Sequence, residues 1–267
     1  MKVSERGIRL ILLAIALSAL ASLSLITLFI FQEGLPVVAK VGVANFLLGR
    51  EWRPSEGLFG ILPLIMGSLW VTAGALLFGV PLGLAVAIFT AEFAPPLLAG
   101  ASRPVIQLLA GIPSVIYGFI GLTILVPLIR DRLGGPGLSV LAASIVLGVM
   151  ILPNIVSISE DALRAVPKEY REGALALGAT RWQAMWRVVL PAARSGGVTS
   201  IILGMGRAIG ETMAVIMVVG NALNIPHSPL NSVTTLTSNI GLEMAYASGV
   251  HRQALFATGI VLFALIM

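Results

Sequence analysis

Long apolar runs constrain this chain more than any other feature of its sequence. Of its 267 residues, 57% are hydrophobic and only 11% are charged, which is much less charge than a soluble domain of this size carries. A helix needs about 20 predominantly apolar residues to cross the hydrocarbon core of a bilayer, and several runs reach that length. The sequence therefore predicts an all-α polytopic membrane protein.

We predict six membrane-spanning helices, at about residues 8–31, 64–91, 104–129, 138–158, 196–220 and 254–267. The first apolar run continues through Phe31, which is too long for a cleaved signal peptide and favours an uncleaved helix. The last run is only about 21 Å long as a helix at 1.5 Å per residue, whereas the hydrocarbon core is about 30 Å thick. We therefore expect the natural chain to continue beyond Met267.

The spans divide the chain into two predicted parts. Residues 1–60 form an N-terminal transmembrane helix and an external loop. Residues 61–267 form a transmembrane core that contains a polar connection at about residues 160–195. Gly79 with Gly83, and Gly206 with Gly210, have the four-residue spacing that lets helices approach closely. Both glycine pairs are therefore predicted to lie at helix–helix contacts.

The distribution of basic residues sets the predicted orientation, because cytoplasmic loops of membrane proteins carry an excess of Lys and Arg. With the amino terminus inside, ten basic residues lie on the cytoplasmic side and six on the outside. The cytoplasmic ten are Lys2, Arg6, Arg9, Arg103, Arg164, Lys168, Arg171, Arg181, Arg187 and Arg194, and the outer six are Lys40, Arg50, Arg53, Arg130, Arg132 and Arg252. This placement also argues against nucleic acid as a partner.

Several other site classes are disfavoured by the sequence. The chain has no cysteine, so disulfides and thiolate metal sites are excluded. Its two histidines, His227 and His251, fall in a predicted outer loop, where they are too few for a metal site and are expected to be solvent-exposed. Zinc-protease, nucleophile-elbow and Walker patterns are missing, so an intramembrane enzyme or an ATP-binding chain is not predicted.

The polar connection is predicted to form a helix, a glycine turn and a second helix along the membrane surface. Pro167 suits the first turn of a helix, and Gly178 suits its left-handed end. Thr180 and Gln183 have the spacing of a capping box, and Pro191 marks a break before the next span.

The small residues Ala174, Gly178 and Ala179 give this turn a low profile that the cleft of a partner protein could receive. The larger residues Trp182, Met185 and Trp186 are expected to pack on the spans or at the lipid interface. An amphipathic interfacial helix without a partner fits the same spacing.

The fifth predicted span contains two charged residues, Arg207 and Glu211. Their spacing places them on one helix face, where they can pair. A charge at the bilayer centre costs about 2.5–3.5 kcal/mol on insertion scales and usually faces a bundle interior or a water-filled path. One interpretation is a self-neutralising structural pair. In the other, Arg207 attracts an anion in transit, Glu211 limits how tightly it is held, and Thr212 adds a hydroxyl nearby.

The polar connection resembles the EAA loop of ABC importer permeases, which reads E-A-A, three residues, G, nine residues, I-x-L-P. The matching residues are Glu172, Ala174, Gly178, Leu190 and Pro191. Gly173 replaces the first motif alanine after the glutamate, and Val188 replaces the isoleucine. The resemblance implies that this segment, including Ala179, is a coupling helix seated in a groove of a cytoplasmic ATPase subunit.

Much of the chain from Asn45 onward also resembles the PstC-type permeases of phosphate importers. The run R-A-I-G-E-T-M-A-V at residues 207–215 matches their fifth-span signature. Further matches lie at residues 92–95, 108–118, 235–237, 243–244 and 251–256. These stretches favour this subunit over its PstA-type sister, in which the residues after Glu-Thr differ.

The resemblance implies a MetI-like type I importer fold with an extra first helix before a five-helix core. The implied partners are a PstA-type second permease, a cytoplasmic ATPase in two copies, a periplasmic phosphate-binding protein, inorganic phosphate and membrane lipid. The ATPase would use ATP and Mg, and this chain would bind no cofactor. The implied location is the bacterial inner membrane, with several crossings and the amino terminus in the cytoplasm.

Two alternatives remain open from the sequence. One is an importer for another oxyanion, such as molybdate or sulfate. The other is a secondary transporter that works alone, although such carriers often have two matching halves and no internal repeat is visible here.

Overall fold

The computed structural model describes residues 5–267 of the chain. Lys2, which contributes to the predicted orientation, lies outside the described residues, as does the side chain of Arg6. The helices are α1 (Glu5–Val41), α2 (Val43–Leu48), α3 (Leu62–Ile88), α4 (Pro96–Gly111), α5 (Ser114–Ile120), α6 (Val126–Leu133), α7 (Val140–Arg164), α8 (Lys168–Ala176), α9 (Arg181–Ala184), α10 (Leu190–Ala192), α11 (Arg194–Gly210), α12 (Met213–Val218), α13 (Leu236–Glu243) and α14 (Gly249–Ile266). A short antiparallel hairpin pairs β1 (Trp52–Arg53) with β2 (Leu58–Phe59).

The predicted polytopic helical class is confirmed. Five helical segments are long and apolar enough to cross a membrane, namely Gly7–Val41, Leu62–Phe93, Ser114–Leu133, Val140–Arg164 and Gly249–Ile266. A sixth crossing is reached when Arg181–Ala192 and Arg194–Gly210, which bend by 69° at the junction between them, are counted together. Wider π-helical turns at Phe89–Phe93, Gly121–Leu125 and Met185–Val189 continue α3, α5 and α9.

The predicted span at residues 104–129 is wrong in its position. Helix α4 ends at Gly111, and Ile112 and Pro113 take extended conformations before α5 begins at Ser114. Proline lacks a backbone N–H and disfavours helical geometry in the residue before it. The apolar run is therefore divided into two helices, and the crossing helix is Ser114–Leu133.

By their contacts, the described residues form two units, one made of the residues up to Ile61 with Glu243–Leu265 and the other of Leu62–Leu242. In the larger unit, α3 packs against α7 through the first predicted glycine pair. A Cβ atom on Gly79 would lie 2.8 Å from Ile151, and one on Gly83 would lie 2.7 Å from Ile155. The close approach predicted for this pair is confirmed.

The second glycine pair makes no such contact. Within the described part of the chain, a Cβ atom on Gly206 or Gly210 would meet no atom within 4 Å. These glycines lie on α11 beside the exposed side chains of Ile202 and Leu203. The predicted helix–helix contact at this pair is therefore wrong within this chain, and this face of α11 is open.

In the smaller unit, α1 packs on α14. A Cβ atom on Gly34 would lie only 2.7 Å from the backbone nitrogen of Ala257. The rings of Phe29 and Phe256 meet edge to face at 5.4 Å. The predicted external loop after α1 is shorter than expected, because α1 continues to Val41 and is followed by α2 and the hairpin.

Candidate functional site

The polar connection begins where Pro167, in an extended conformation, precedes α8. Its carbonyl oxygen accepts a hydrogen bond from the backbone N–H of Tyr170. Glu169 lies in the first turn, where the helix dipole favours an acidic side chain. The predicted helix start is confirmed, with Pro167 one position before the first helical residue.

Gly178 ends this helix in the left-handed conformation, with φ of 84°. Its N–H donates to the Leu175 carbonyl at 2.9 Å, and the Ala179 N–H donates to the Ala174 carbonyl at 3.1 Å. These two bonds form a Schellman motif, which satisfies carbonyls that the helix end leaves without partners. The predicted glycine turn is therefore confirmed.

The second half of the connection also begins as predicted. The Thr180 hydroxyl oxygen accepts from the Gln183 N–H at 3.2 Å, and the Gln183 side-chain oxygen accepts from the Thr180 N–H at 2.9 Å. This capping box starts α9. The helical path then runs through Pro191 to Ala192 and bends by 69° into α11.

The surface of α8 and its turn is open. Every residue of α8 is exposed or half-buried, and Glu172 is among the exposed ones. Leu177, which follows α8, is 91% exposed although it is apolar. Of the other residues that match the EAA loop, Ala174 and Ala179 are half-buried, Gly178 and Pro191 are exposed, and Leu190 packs on a buried cluster. The described residues of this chain therefore leave α8 and its turn uncovered.

The aromatic residues of the connection divide between two environments. Met185 is buried, as expected for packing on the spans. Trp182 and Trp186 are half exposed, and with Leu84 and Phe89 of the α3 region they line an apolar groove. Tryptophans commonly take such positions where a membrane protein meets the headgroup region.

An ion pair that the sequence did not reveal attaches α8 to the spans. The guanidinium of Arg171 forms a salt bridge with Glu92, in the π-helical turn after α3. It also donates to the carbonyl oxygens of Leu163 at 2.7 Å and Val166 at 3.0 Å. Sequence reasoning missed this contact because Arg171 and Glu92 are 79 residues apart.

A second unpredicted cluster surrounds Glu160 of α7, whose side chain is only 2% exposed. Its carboxylate accepts from Arg164 at 2.8 Å, from Arg103 of α4 at 3.3 Å and from the Thr90 hydroxyl at 3.2 Å. A buried carboxylate is tolerated when it is paired and hydrogen-bonded in this way. The cluster joins α4, α7 and the turn after α3.

The predicted fifth span is broken in the middle. Helix α11 ends at Gly210, Glu211 is extended with ψ of 129°, and α12 begins at Met213. The freed backbone groups are hydrogen-bonded. The Glu211 carbonyl accepts from the Thr237 hydroxyl at 2.9 Å, and the Glu211 carboxylate accepts from the Ala214 N–H at 3.2 Å. Non-helical backbone in a span is tolerated only where protein or a cavity surrounds it.

The break corrects the predicted pairing of Arg207 with Glu211. The prediction assumed an unbroken helix, whereas the Glu211 side chain turns to the start of α12. Among the described residues, Arg207 forms no ion pair within 4 Å, and its side chain is exposed. Thr212, half-buried, lies at the break, with its hydroxyl 3.4 Å from the Gly210 carbonyl. The charge of Arg207 is therefore not neutralised by Glu211.

The break in the fifth span lies near the break between α4 and α5. Helix α5 packs against α12, since a Cβ atom on Gly118 would lie 2.9 Å from the Cα atom of Ala214. The Tyr117 hydroxyl donates to the Leu109 carbonyl of α4 at 2.9 Å, a carbonyl in the last turn of that helix. Two interrupted helices thus meet beside an unpaired guanidinium, as in transporters whose discontinuous helices form substrate sites.

The prediction that both histidines are solvent-exposed is correct for one of them and wrong for the other. His227 is exposed, as expected. His251 is partly buried, and its Nε2 lies 2.7 Å from the Glu243 carboxylate, which also accepts from the Trp52 indole at 3.0 Å. In the loop before α14, slight desolvation and the nearby Glu243 carboxylate raise the pKa of Tyr246 above its usual value, although its side chain is largely exposed. This cluster connects the hairpin to the start of α14 within the smaller unit.

Comparison with known proteins places the chain among transporter subunits. Residues 79–267 match the family described as binding-protein-dependent transport system inner membrane component. The probable ABC transporter permease protein YqgH of Bacillus subtilis is 47% identical over 95% of this chain and 84% of its own length. The phosphate transport system permease protein PstC of Pasteurella multocida is 38% identical over 82% of this chain and 75% of its own.

Solved structures share the fold at lower identity. The chain is similar to a protein in the inward-facing MetNI methionine ABC transporter, with a TM-score of 0.58 and 23% identity over 81% of this chain and 93% of that one. It is also similar to one in a bacterial alginate ABC transporter, with a TM-score of 0.61 and 18% identity over 98% and 95% of the two chains. The predicted type I importer fold is thereby confirmed.

Proposed function

Because the chain belongs to the family of binding-protein-dependent transport system inner membrane components, we propose that it is the PstC-type permease subunit of an ATP-driven phosphate importer. The observation that carries this proposal is the unpaired Arg207 guanidinium beside the break at Glu211. Arginine binds phosphate through parallel charged hydrogen bonds. Its position in an apolar helix gives an anion an attractive point on a path across the membrane.

The geometry supports a division of roles among the pathway residues. Arg207 supplies the positive charge, and its distance from carboxylates leaves that charge available to the substrate. Glu211 holds the start of α12 through the Ala214 N–H, so it shapes the break instead of neutralising Arg207. Thr212 exposes a hydroxyl at the same break, where it can donate to a passing oxyanion.

The energy for transport comes from a cytoplasmic ATPase in two copies, which uses ATP and Mg. The residues that would couple it to this chain are Glu172, Ala174, Gly178, Ala179, Leu190 and Pro191. The exposed turn after α8, with Leu177 91% exposed, supports this role because an apolar side chain on a rigid turn gains stability when a partner's groove covers it. A periplasmic phosphate-binding protein delivers the substrate at the opposite face.

A second, PstA-type permease completes the pathway. The open face of α11 supports this role, because Gly206 and Gly210 leave room for close approach of another helix. Arg207 lies on the same helix and would then face the space between the two permeases. Membrane lipid would cover the remaining apolar surface.

The proposed location is the bacterial inner membrane, with the amino terminus in the cytoplasm. The contact between Arg171 and Glu92 supports this orientation, because it brings the end of α3 to the same side as the coupling segment. With α8 in the cytoplasm, α3 then runs inward and α1 outward. The ten basic residues counted on the cytoplasmic side agree with this direction.

The proposal is tested by purifying the complex through a tag on this chain. We expect a second permease and an ATPase to copurify, and ATP hydrolysis to rise when a binding protein loaded with phosphate is added. The same assay with sulfate and molybdate, each on its own binding protein, distinguishes the substrates. Stimulation by sulfate or molybdate without stimulation by phosphate would contradict the phosphate assignment.

A further inference from the structure

Arg171 binds two different spans from within the coupling segment. Its guanidinium pairs with Glu92 after α3, and it donates to Leu163 and Val166 at the end of α7. The two carbonyls belong to the last turn of α7 and the residues just after it, where a helix leaves acceptors without intrahelical partners. One side chain thus satisfies a helix end and an acid on a neighbouring span.

The contact is partly shielded from water, more than the charged side chains next to it on α8 are. The side chains of Arg171 and Glu92 are only 21% and 18% exposed, whereas the neighbouring Lys168 and Glu172 are exposed. Exposed ion pairs contribute little because water screens them. Arg171 is partly shielded and makes three bonds in a fixed fork geometry. It is therefore a stiffer connection than an exposed ion pair.

The two spans that Arg171 binds are themselves connected at this level. Arg164 of α7 donates to the Thr90 carbonyl in the turn after α3 and to Glu160. Arg103 of α4 reaches Glu160 and Asp161. A displacement of α8 applied through Arg171 would therefore reach α3, α4 and α7 together.

We propose that Arg171 is the positioning residue through which movement of the coupling helix is passed to the spans. This inference rests on the proposed function, since it presumes an ATPase that moves α8. When the ATPase moves α8, the bonds from Arg171 to Glu92, Leu163 and Val166 carry the ends of α3 and α7 with it. Without them α8 moves alone, so ATP is hydrolysed while the spans stay in place.

The test is the number of phosphate ions imported per ATP hydrolysed by the complete complex in proteoliposomes. We expect Arg171→Gln and Glu92→Gln each to lower this ratio by about tenfold or more, as for loss of a charged hydrogen bond, while ATPase activity stimulated by loaded binding protein persists. The double variant should be no worse than Arg171→Gln alone, because that variant already removes the interaction with Glu92. Arg171→Lys should be intermediate, because lysine keeps the charge but not the fork.

A covalent link gives a second test if the single variants assemble poorly. The chain has no cysteine, so Glu92→Cys with Arg171→Cys can be joined by a short bifunctional maleimide in a complex whose other subunits lack reactive thiols. We expect the joined form to recover the ratio that the unjoined form has lost. Failure of the joined form to recover it would overturn the inference.

Arg194→Gln serves as the matched control, because Arg194 is an exposed arginine at the start of α11. It should leave the transport ratio at the wild-type value. An unchanged ratio in Arg171→Gln would refute the inference and leave the proposed function intact. A wild-type complex that imports no phosphate with ATP would instead refute the proposed function.

Discussion

The turn at Gly178 and the break at Glu211 both interrupt a helix, but different interactions hold them. At Gly178 the bonds join residues no more than five positions apart. At Glu211 the carbonyl is held by Thr237, 26 residues away. The first is a local unit that keeps its shape on an exposed surface. The second is held by α13 as well as by the local bond from the Ala214 N–H, and it leaves Arg207 without a carboxylate partner.

This difference predicts that substitutions in the two regions have separate effects on transport. A change at the break should alter passage of the anion, and a change at the turn should alter response to the ATPase. Substitutions in each region therefore test whether the two effects are separable.

Arg207→Gln should give the largest loss. It removes the positive charge at the break while keeping a polar side chain of similar length. We expect phosphate uptake to fall by about 100-fold, as for loss of a charged hydrogen bond worth about 1.5–3 kcal/mol, while the complex still assembles. Uptake of radioactive phosphate by proteoliposomes measures this, with Arg207→Lys as the control that keeps the charge. Normal uptake by the glutamine variant would contradict the pathway role.

Gly178→Asp should disrupt coupling by distorting the turn. Most residues with a Cβ atom cost about 1–2 kcal/mol in the left-handed conformation; Asp is tolerated there better than most, so the main cost is that its charge would oppose a close-fitting partner. We expect ATPase activity stimulated by loaded binding protein to fall by about tenfold.

Gly173→Ala is the matched control for this change. Gly173 lies within α8, where a Cβ atom would meet nothing within 4 Å in the described chain, and alanine favours the helix. Its stimulated ATPase activity should equal that of the wild type. If Gly178→Asp retained full stimulation, the turn would not be a docking element.

Substitutions of Glu211 distinguish two possible roles for its side chain at the break, a helix cap and a charge. If it caps α12, Glu211→Gln should keep most of the uptake, because the amide oxygen can still accept from the Ala214 N–H. Glu211→Ala should lower the stability of the complex by about 1 kcal/mol, as for loss of a helix cap, and reduce uptake. Equal loss in both variants would instead favour a charge-based role, and thermal unfolding together with uptake distinguishes the two.

Thr180→Ala should have the smallest effect. It removes one half of the capping box and should cost about 1 kcal/mol locally, without changing α8. We expect faster hydrogen exchange at the Gln183 amide and little change in uptake, whereas Thr180→Ser should exchange like the wild type. Faster exchange throughout α8 would show that the two halves of the connection are not independent.

The sequence predicted the features that depend on local chemistry. Gly178, Thr180 and Gln183 each have a backbone preference that acts over a few residues, and the structure confirms them. The glycine pair at Gly79 and Gly83 was also predictable, because its spacing fixes one face of α3. The apolar runs predicted six crossings, and the structure has five, or six when the bent pair Arg181–Ala192 and Arg194–Gly210 is counted as one.

Apart from the break at Pro113, which has a local cause, the features that the sequence missed depend on distant residues. Glu211 and Thr212 have no strong helix-breaking tendency, so the break became visible only with Thr237 and α13 beside it. The pairing of Arg171 with Glu92 requires that α3 and α7 end at the same level of the helix bundle. The burial of His251 depends on Trp52, about 200 residues earlier in the chain.

The central claim is that ATP hydrolysis in a partner protein drives passage of phosphate past Arg207. The most direct measurement is phosphate uptake into proteoliposomes that contain either this chain alone or the copurified complex with loaded binding protein and ATP. We predict uptake only by the complex and only with hydrolysable ATP. Concentrative uptake by the chain alone would contradict the claim.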